Sequence, residues 1–261
     1  MLLEKEILNH ILLNLKSKID KENRKVSPNT YYKFTKKNKT SLTTKHDVKI
    51  EKIIRNEIAK SYPTHEILGE ELKNVKKNSK YKWVIDPIDG TKSMLAGMPT
   101  WSNLIGFSIN SKAKIGFANF PSLNKYYFSD GKNSFVVHKN KRKKIFSKKN
   151  KNFENSLLVT NSFHAIKNIK ILKFFKQYPF LFKITGIDSY NYCLLAEGKI
   201  DIILEADLKP YDILPLIPII KNSGGLITNW SGGSDISKGR VIVASNKTLH
   251  KKFLLKFKKF T

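Results

Sequence analysis

The stretch Trp83-Val84-Ile85-Asp86-Pro87-Ile88-Asp89-Gly90-Thr91 constrains this chain more than any other, because it places two carboxylates and a hydroxyl at the end of an apolar strand. Residues 82–85 read as a buried strand, and Pro87 with Gly90 turns the backbone at once, so the acids project from the strand end. Hard oxygen ligands on a stiff turn suit Mg²⁺ better than a softer metal. Asp-Pro and Asp-Gly are equally the dipeptides of a solvated β-turn. Three further acidic positions shift the balance: Gly69-Glu70-Glu71 follows the apolar pair Ile67-Leu68, Asp47 opens a helical pattern, and Asp212 opens another in Pro210-Tyr211-Asp212. Each acid lies at the edge of an apolar element, where a converging site draws its ligands.

Periodicity sets the frame around that segment. Leu3, Ile7, Leu8, Ile11, Leu12, Leu15 and Ile19 fall at helical spacing and predict a first amphipathic helix, with a polar loop over residues 20–38. Val48, Ile50, Ile53, Ile54 and Ile58 predict a second helix, opened by Thr43, Thr44 and Asp47 and closed by Pro63. On the residues alone, Asp47 is a favourable charge at a helix N-terminus. Runs at 103–109, 114–120, 126–128 and 134–137, with a turn at Asp130-Gly131, predict an antiparallel sheet. The basic stretch 139–151, containing Lys141-Arg142-Lys143-Lys144, reads as a solvated connector. It divides the expected single domain, residues 1–261, into an N-terminal α+β half, about 1–150, and a C-terminal α/β half, about 151–261. The second half alternates strands at 157–160, 201–205 and 241–244 with helices at 166–175, 188–195 and 211–220, which implies a sheet covered by helices.

Composition narrows the function classes. With 40% hydrophobic residues over 261 positions the chain has enough apolar material for a large core. No run approaches the roughly 18 apolar residues of a membrane helix, and Glu4 and Glu6 interrupt the N-terminal pattern. The expectation is a cytoplasmic protein with no membrane partner. The lone Cys193, in Tyr192-Cys193-Leu194-Leu195, reads as a packed core thiol. A net charge of +28 raises the question of nucleic acid, yet only Arg24, Arg55, Arg142 and Arg240 are arginines. Recognition surfaces favour arginine for bidentate contacts, so a bias toward lysine, asparagine and isoleucine is the simpler reading and nucleic acid is not an expected partner. The same charge attracts anionic substrates.

The segment Asp86-Pro87-Ile88-Asp89-Gly90-Thr91, with Gly69-Glu70-Glu71 before it and Tyr211-Asp212 through Ser223-Gly224-Gly225 after it, resembles the inositol monophosphatase family of Mg²⁺-dependent phosphatases. Residues 92–101 and 208–212 are more similar to the branch that dephosphorylates histidinol phosphate. The resemblance implies a layered αβαβα sandwich of the α/β (α+β) class and a homodimer. It implies that two or three Mg²⁺ ions are held by Glu70, Asp86, the Ile88 carbonyl, Asp89 and Asp212, with Asp47 acting through bound water or a weaker third ion. Thr91 with Glu70 would orient the attacking water, and the amides of Gly90, Thr91 and Lys92 would hold the phosphate. Gly186, Asp188, Glu205 and Asp212 would meet the leaving group, the carboxylates pairing with the amine of histidinol or accepting inositol hydroxyls. The readings that follow are a histidinol-phosphate phosphatase, an inositol-1-phosphate or broader sugar-phosphate phosphatase, and a basic RNA-associated protein on a phosphatase scaffold. The chain departs from the family at Leu42 (usually proline), His46 (usually small) and Met94 (usually phenylalanine), and Lys37 matches a family lysine. A histidine at a helix start reads as a capping or surface residue.

Overall fold

Apolar spacing at the N-terminus is realised as a single helical rod. The computed structural model describes residues 2–26, 33–36, 42–160, 169–178 and 180–260. In it, α1 (Leu2–Asn9), a widened π-helical turn (His10–Leu15) and α2 (Lys16–Asn23) bury Ile7, Ile11, Leu15 and Ile19 on one face. The rod continues past Ile19 into what was expected to be loop. The reason is lateral pairing: Glu22 accepts from Lys25 at 2.8 Å and from Lys49 at 3.1 Å, so a polar turn of helix is held against its neighbour. A short strand β1 (Phe34–Lys36) also lies in that expected loop and pairs with β2 (Leu42–Thr44). Thr44 then caps α3 (Lys45–Ser61), its hydroxyl oxygen accepting from the His46 and Asp47 amides.

The first sheet has seven strands in sequence order. β3 (Glu66–Gly69) runs parallel to β4 (Tyr81–Asp89). After the short α4 (Thr91–Leu95) come β5 (Ser102–Ile109), β6 (Lys112–Phe120), β7 (Lys125–Ser129) and β8 (Ser134–His138), antiparallel as predicted, and then β9 (Lys141–Ile145), antiparallel as well. The basic stretch read as a connector is thus partly a strand. Lys141, Arg142, Lys143 and Lys144 are exposed on the sheet edge, where charge discourages edge-to-edge pairing, and the Arg142 guanidinium lies 3.8 Å from the Phe135 ring centre.

The second half builds a five-stranded sheet in the order β11-β10-β12-β14-β13. In chain order its elements are β10 (Leu157–Thr160), α5 (Ile169–Gln177), β11 (Phe182–Thr185), α6 (Tyr190–Ala196) and β12 (Ile202–Glu205). They continue as α7 (Pro210–Ile213), α8 (Leu216–Asn222), β13 (Leu226–Asn229), β14 (Val241–Ala244) and α9 (Lys247–Phe257). The helix expected over 211–220 is therefore two, divided at Pro215, whose ring and missing N–H end α7. α6 begins two residues later than expected, because Asp188 sits at a left-handed φ of +45° that no helix tolerates.

Three apolar layers result. The N-terminal helices and α3 cover one face of the seven-stranded sheet through Ile50, Ile54, Trp83 and Phe107. α6 and α8 fill the space between the sheets with Cys193, Leu195, Leu216 and Ile219. α5 and α9 close the far face of the second sheet through Phe174, Phe253 and Phe257. The architecture is an αβαβα sandwich, and no helix among the described residues is long and apolar enough to cross a membrane. The junction of the sheets depends on close backbone approach: a Cβ on Gly116 would lie 2.0 Å from the Pro215 carbonyl oxygen. Gly116→Ala is expected to destabilise the protein by about 1–3 kcal/mol through this overlap, and an unchanged urea midpoint would contradict the packing of Pro215 on β6.

Candidate metal centre

The ladder between β4 and β5 is regular up to Asp86 opposite Leu104, then shifts register before resuming at Asp89 opposite Ser102. The shift bends the end of the strand and leaves both acids facing Asp212, which arrives on the first turn of α7. Carboxylate oxygens of Asp86, Asp89 and Asp212 all lie within 4.8 Å of one another. Glu70 joins them from the loop after β3, its amide bonded to the Ile85 carbonyl at 3.2 Å, one residue before Asp86. Three acids from two separate segments therefore close on one point, with Glu70 beside Asp86.

Their electrostatics are those of a site awaiting positive charge. Burial, then Glu70, Asp89 and Asp212, push the Asp86 carboxyl far above the usual range. Burial and then Asp188 do the same to Asp89. Asp212 is pushed up to about 7, by burial first and further by Glu70, against a lowering bond from the Lys209 amide at 2.6 Å. Asp86 is 1% exposed, and its Oδ1 has no hydrogen-bond partner among the described residues. A buried, unsatisfied carboxylate oxygen facing other carboxylates fits a divalent cation, and an all-oxygen donor set fits a hard one.

Asp47 is placed differently. It is fully buried, and its Oδ2 accepts from the Thr44 amide at 2.8 Å and from the Thr44 hydroxyl. Its Oδ1 lies 3.1 Å from Thr91 Oγ1, which is also 3.1 Å from the Ile88 carbonyl oxygen. Asp47 thus stands behind Thr91 and orients it, outside the group of carboxylates that close on one point. Gly90 turns the chain at φ +80°, and a Cβ there would lie 2.6 Å from Asp188 Oδ2, so the turn needs glycine on both counts. Lys92 is exposed at the start of α4, and Met94, one of the departures from the family, is buried in the core beneath it.

The second half contributes at close range. The Ser189 amide donates to Asp89 Oδ2 at 2.8 Å, and Ser93 Oγ donates to Asp188 Oδ2 at 2.9 Å. Gly186 is exposed and ties its amide to the Thr160 carbonyl at 2.7 Å. Glu205 ends β12, 3% exposed, and accepts from the Tyr192 hydroxyl at 2.6 Å. Burial, with the charges of Asp188 and Asp212, pushes it up to about 8 despite that bond. His46 turns its Nδ1 toward Glu22 at 3.6 Å, and Lys37 falls outside the described residues.

Glu51 and Arg55 escaped the sequence reading. Glu51 is fully buried and accepts from the Glu71 amide at 2.7 Å, the Leu72 amide at 3.2 Å and Arg55 Nε at 2.7 Å. Together they anchor the loop that carries Glu70. The available signal was an acid and an arginine four residues apart within the apolar pattern of α3.

Two facing sheets with helices between and outside them, and a carboxylate cluster where one sheet's strand end meets a helix start, define the chain as a layered sandwich built around an acidic cluster. The chain belongs to the inositol monophosphatase family, whose description matches residues 4–260, and it is a phosphatase of that metal-dependent family. Among curated relatives, the bifunctional phosphatase IMPL2 of Arabidopsis thaliana is 34% identical over 67% of this chain, an alignment that spans 51% of that protein. The histidinol-phosphatase of Chlorobaculum parvum is 26% identical over 83% of each chain, and inositol monophosphatase 1 of Bos taurus is 30% identical over 83% of this chain and 81% of its own. The fold matches the extragenic suppressor protein SuhB of Bartonella henselae with a TM-score of 0.85 at 22% identity, covering 95% of this chain and 99% of that one.

Divalent cation is expected to raise thermal stability by about 2.7 kcal/mol at a hundredfold excess over its dissociation constant. Asp86→Asn should lose most of that gain in a thermal melt with and without chelator, and an undiminished gain would remove Asp86 from the site. Glu51→Ala should cost about 3–5 kcal/mol in urea unfolding, because it strands Arg55 and two amides in the interior; a loss below about 1 kcal/mol would show that the Glu70 loop is held otherwise.

Proposed function

We propose that the chain hydrolyses L-histidinol phosphate to L-histidinol and inorganic phosphate, with Mg²⁺ held by Glu70, Asp86, the Ile88 carbonyl, Asp89 and Asp212. One observation carries the choice of substrate. Beyond Glu70 and the three acids that close on one point, Asp188 and Glu205 bring two more carboxyl groups to the same space: Asp188 raises both Asp89 and Glu205, and Asp212 raises Glu205. A substrate that joins an anionic phosphate to a cationic amine matches that surplus of carboxyl groups, because a neighbouring ammonium favours their ionised form. The likeness to the Chlorobaculum histidinol-phosphatase supports the same reading. An inositol monophosphate is the second reading, supported by the bovine relative, and these carboxylates would accept its hydroxyls.

Bound Mg²⁺ supplies charge neutralisation for the phosphate oxygens and acidifies water at neutral pH. The chain's own groups do the rest. Thr91, held by Asp47 and the Ile88 carbonyl, presents a hydroxyl oxygen able to accept a hydrogen bond from the attacking water and fix its direction, with Glu70 beside the cluster as the base that takes the proton. Amides of Gly90, Thr91 and Lys92 at the start of α4 face the phosphate, and Asp188, locked by Ser93, holds the amine end of the leaving group. In this account the protein works in the cytoplasm as a homodimer and has no nucleic-acid partner.

Phosphate release from L-histidinol phosphate is expected to depend on Mg²⁺, to stop with chelator and to exceed release from inositol-1-phosphate. The reverse preference would keep the chemistry and discard the substrate. Asp188→Asn and Glu205→Gln should each raise KM for histidinol phosphate about tenfold, or about 1.4 kcal/mol, with a smaller effect on the inositol ester. Equal effects on both esters would show that these carboxylates do not read the amine.

A further inference from the structure

The register shift at the end of β4 creates a local problem. Between the pairs Asp86↔Leu104 and Asp89↔Ser102, the two residues Pro87 and Ile88 face the single residue Asn103. This is a bulge, and it costs ladder hydrogen bonds. Pro87 has no N–H to lose, but its carbonyl lies inside the protein and needs a donor. Asn103 Nδ2 supplies one at 2.7 Å, from a side chain that is fully buried.

The other end of the same amide is tied down as well. Asn103 Oδ1 accepts from Asn23 Nδ2 at 2.7 Å and from Asn119 Nδ2 at 3.0 Å, and Asn119 Nδ2 lies 2.9 Å from Asp20 Oδ1. Asn23 belongs to α2 and Asn119 to β6. The carbonyl between Asp86 and Ile88 is therefore referenced to two other elements through one side chain that donates and accepts at once. Leucine has the size without either function, an ionised aspartate has no donor, and serine is too short for the span.

We infer that Asn103 is a positioning residue: through the Pro87 carbonyl it fixes the bulge that aims Asp86 and Asp89, and so sets the affinity of the cluster for divalent cation. The inference rests on the metal reading of the site. Groups that orient the ligands of a metal change its affinity by about 10–100-fold when removed.

The test uses Mn²⁺ alone, titrated into the metal-free protein by calorimetry or by the loss of its aqueous EPR signal, with no substrate present. Asn103→Leu is expected to weaken Mn²⁺ binding at least tenfold. Asn119→Leu, which breaks the outer link of the network and leaves the donor to Pro87 in place, should stay within about twofold of the parent protein at a similar loss of thermal stability. If Asn103→Leu does not fold, Asn103→Ser carries the same comparison. Parent-like Mn²⁺ affinity in a folded Asn103 variant would overturn this inference alone. Equal weakening by the Asn119 variant would reduce Asn103 to general support of the fold and overturn it too. No Mn²⁺ binding by the parent protein would overturn the inference together with the metal reading beneath it.

Discussion

Mutual repulsion among enclosed carboxylates is the constraint on which the rest of this structure depends. Burial raises the affinity of Asp86, Asp89 and Asp212 for protons, and the neighbouring charges of Glu70 and Asp188, with their own, raise it further. No chain brings such a group together unless separate elements force it. Here the force is the apolar interior: Trp83, Val84 and Ile85 bury β4, and Ile213, Leu216 and Ile219 bury α7 and α8 against the same sheet. Burial of these side chains, at roughly 1.5–3 kcal/mol each, is the source of energy that holds the acids close.

Backbone amides then aim some of these acids and their supports. Asp47 accepts from Thr44, Asp89 from Ser189, Asp212 from Lys209, and the Glu70 loop hangs from Glu51. The bonds to Asp47, Asp89 and Asp212 stabilise their ionised forms, so the chain lowers the cost of the cluster without neutralising it. What remains is a negative site with an orphaned oxygen on Asp86, built from both halves of the molecule, since the Ser189 bond to Asp89 and the Ser93 bond to Asp188 cross between them.

Much of this was legible in the sequence where burial imposes a pattern. The α1 stripe, the antiparallel runs from Asn103 to Val137 and the strands at 157–160, 201–205 and 241–244 are apolar signals and appear as elements of the predicted type, whereas the 211–220 helix is split and β11, β13 and α9 went unread. β9 was not legible because an edge strand of Lys141, Arg142, Lys143 and Lys144 faces solvent on both sides and has no alternation to read. The extension of α2 was hidden for a similar reason, its polar turn being held by Lys49 on another helix. In the site, Asp86 and Asp89 announced themselves through proline and glycine in one short turn. Glu51 did not, because its partners are backbone amides about twenty residues away, and sequence carries no mark of a backbone contact. The orientation of Asp47 toward Thr91 likewise follows from a tertiary contact, across 44 residues.

The central claim is that these acids form one cation site, and the most direct measurement is the anomalous scattering of Mn²⁺ in crystals of the protein soaked with that ion. The account predicts density bounded by Glu70, Asp86, Asp89 and Asp212, adjoining Thr91. Ordered Mn²⁺ found only elsewhere on the molecule, with the four carboxylates protonated and bonded to one another, would contradict it.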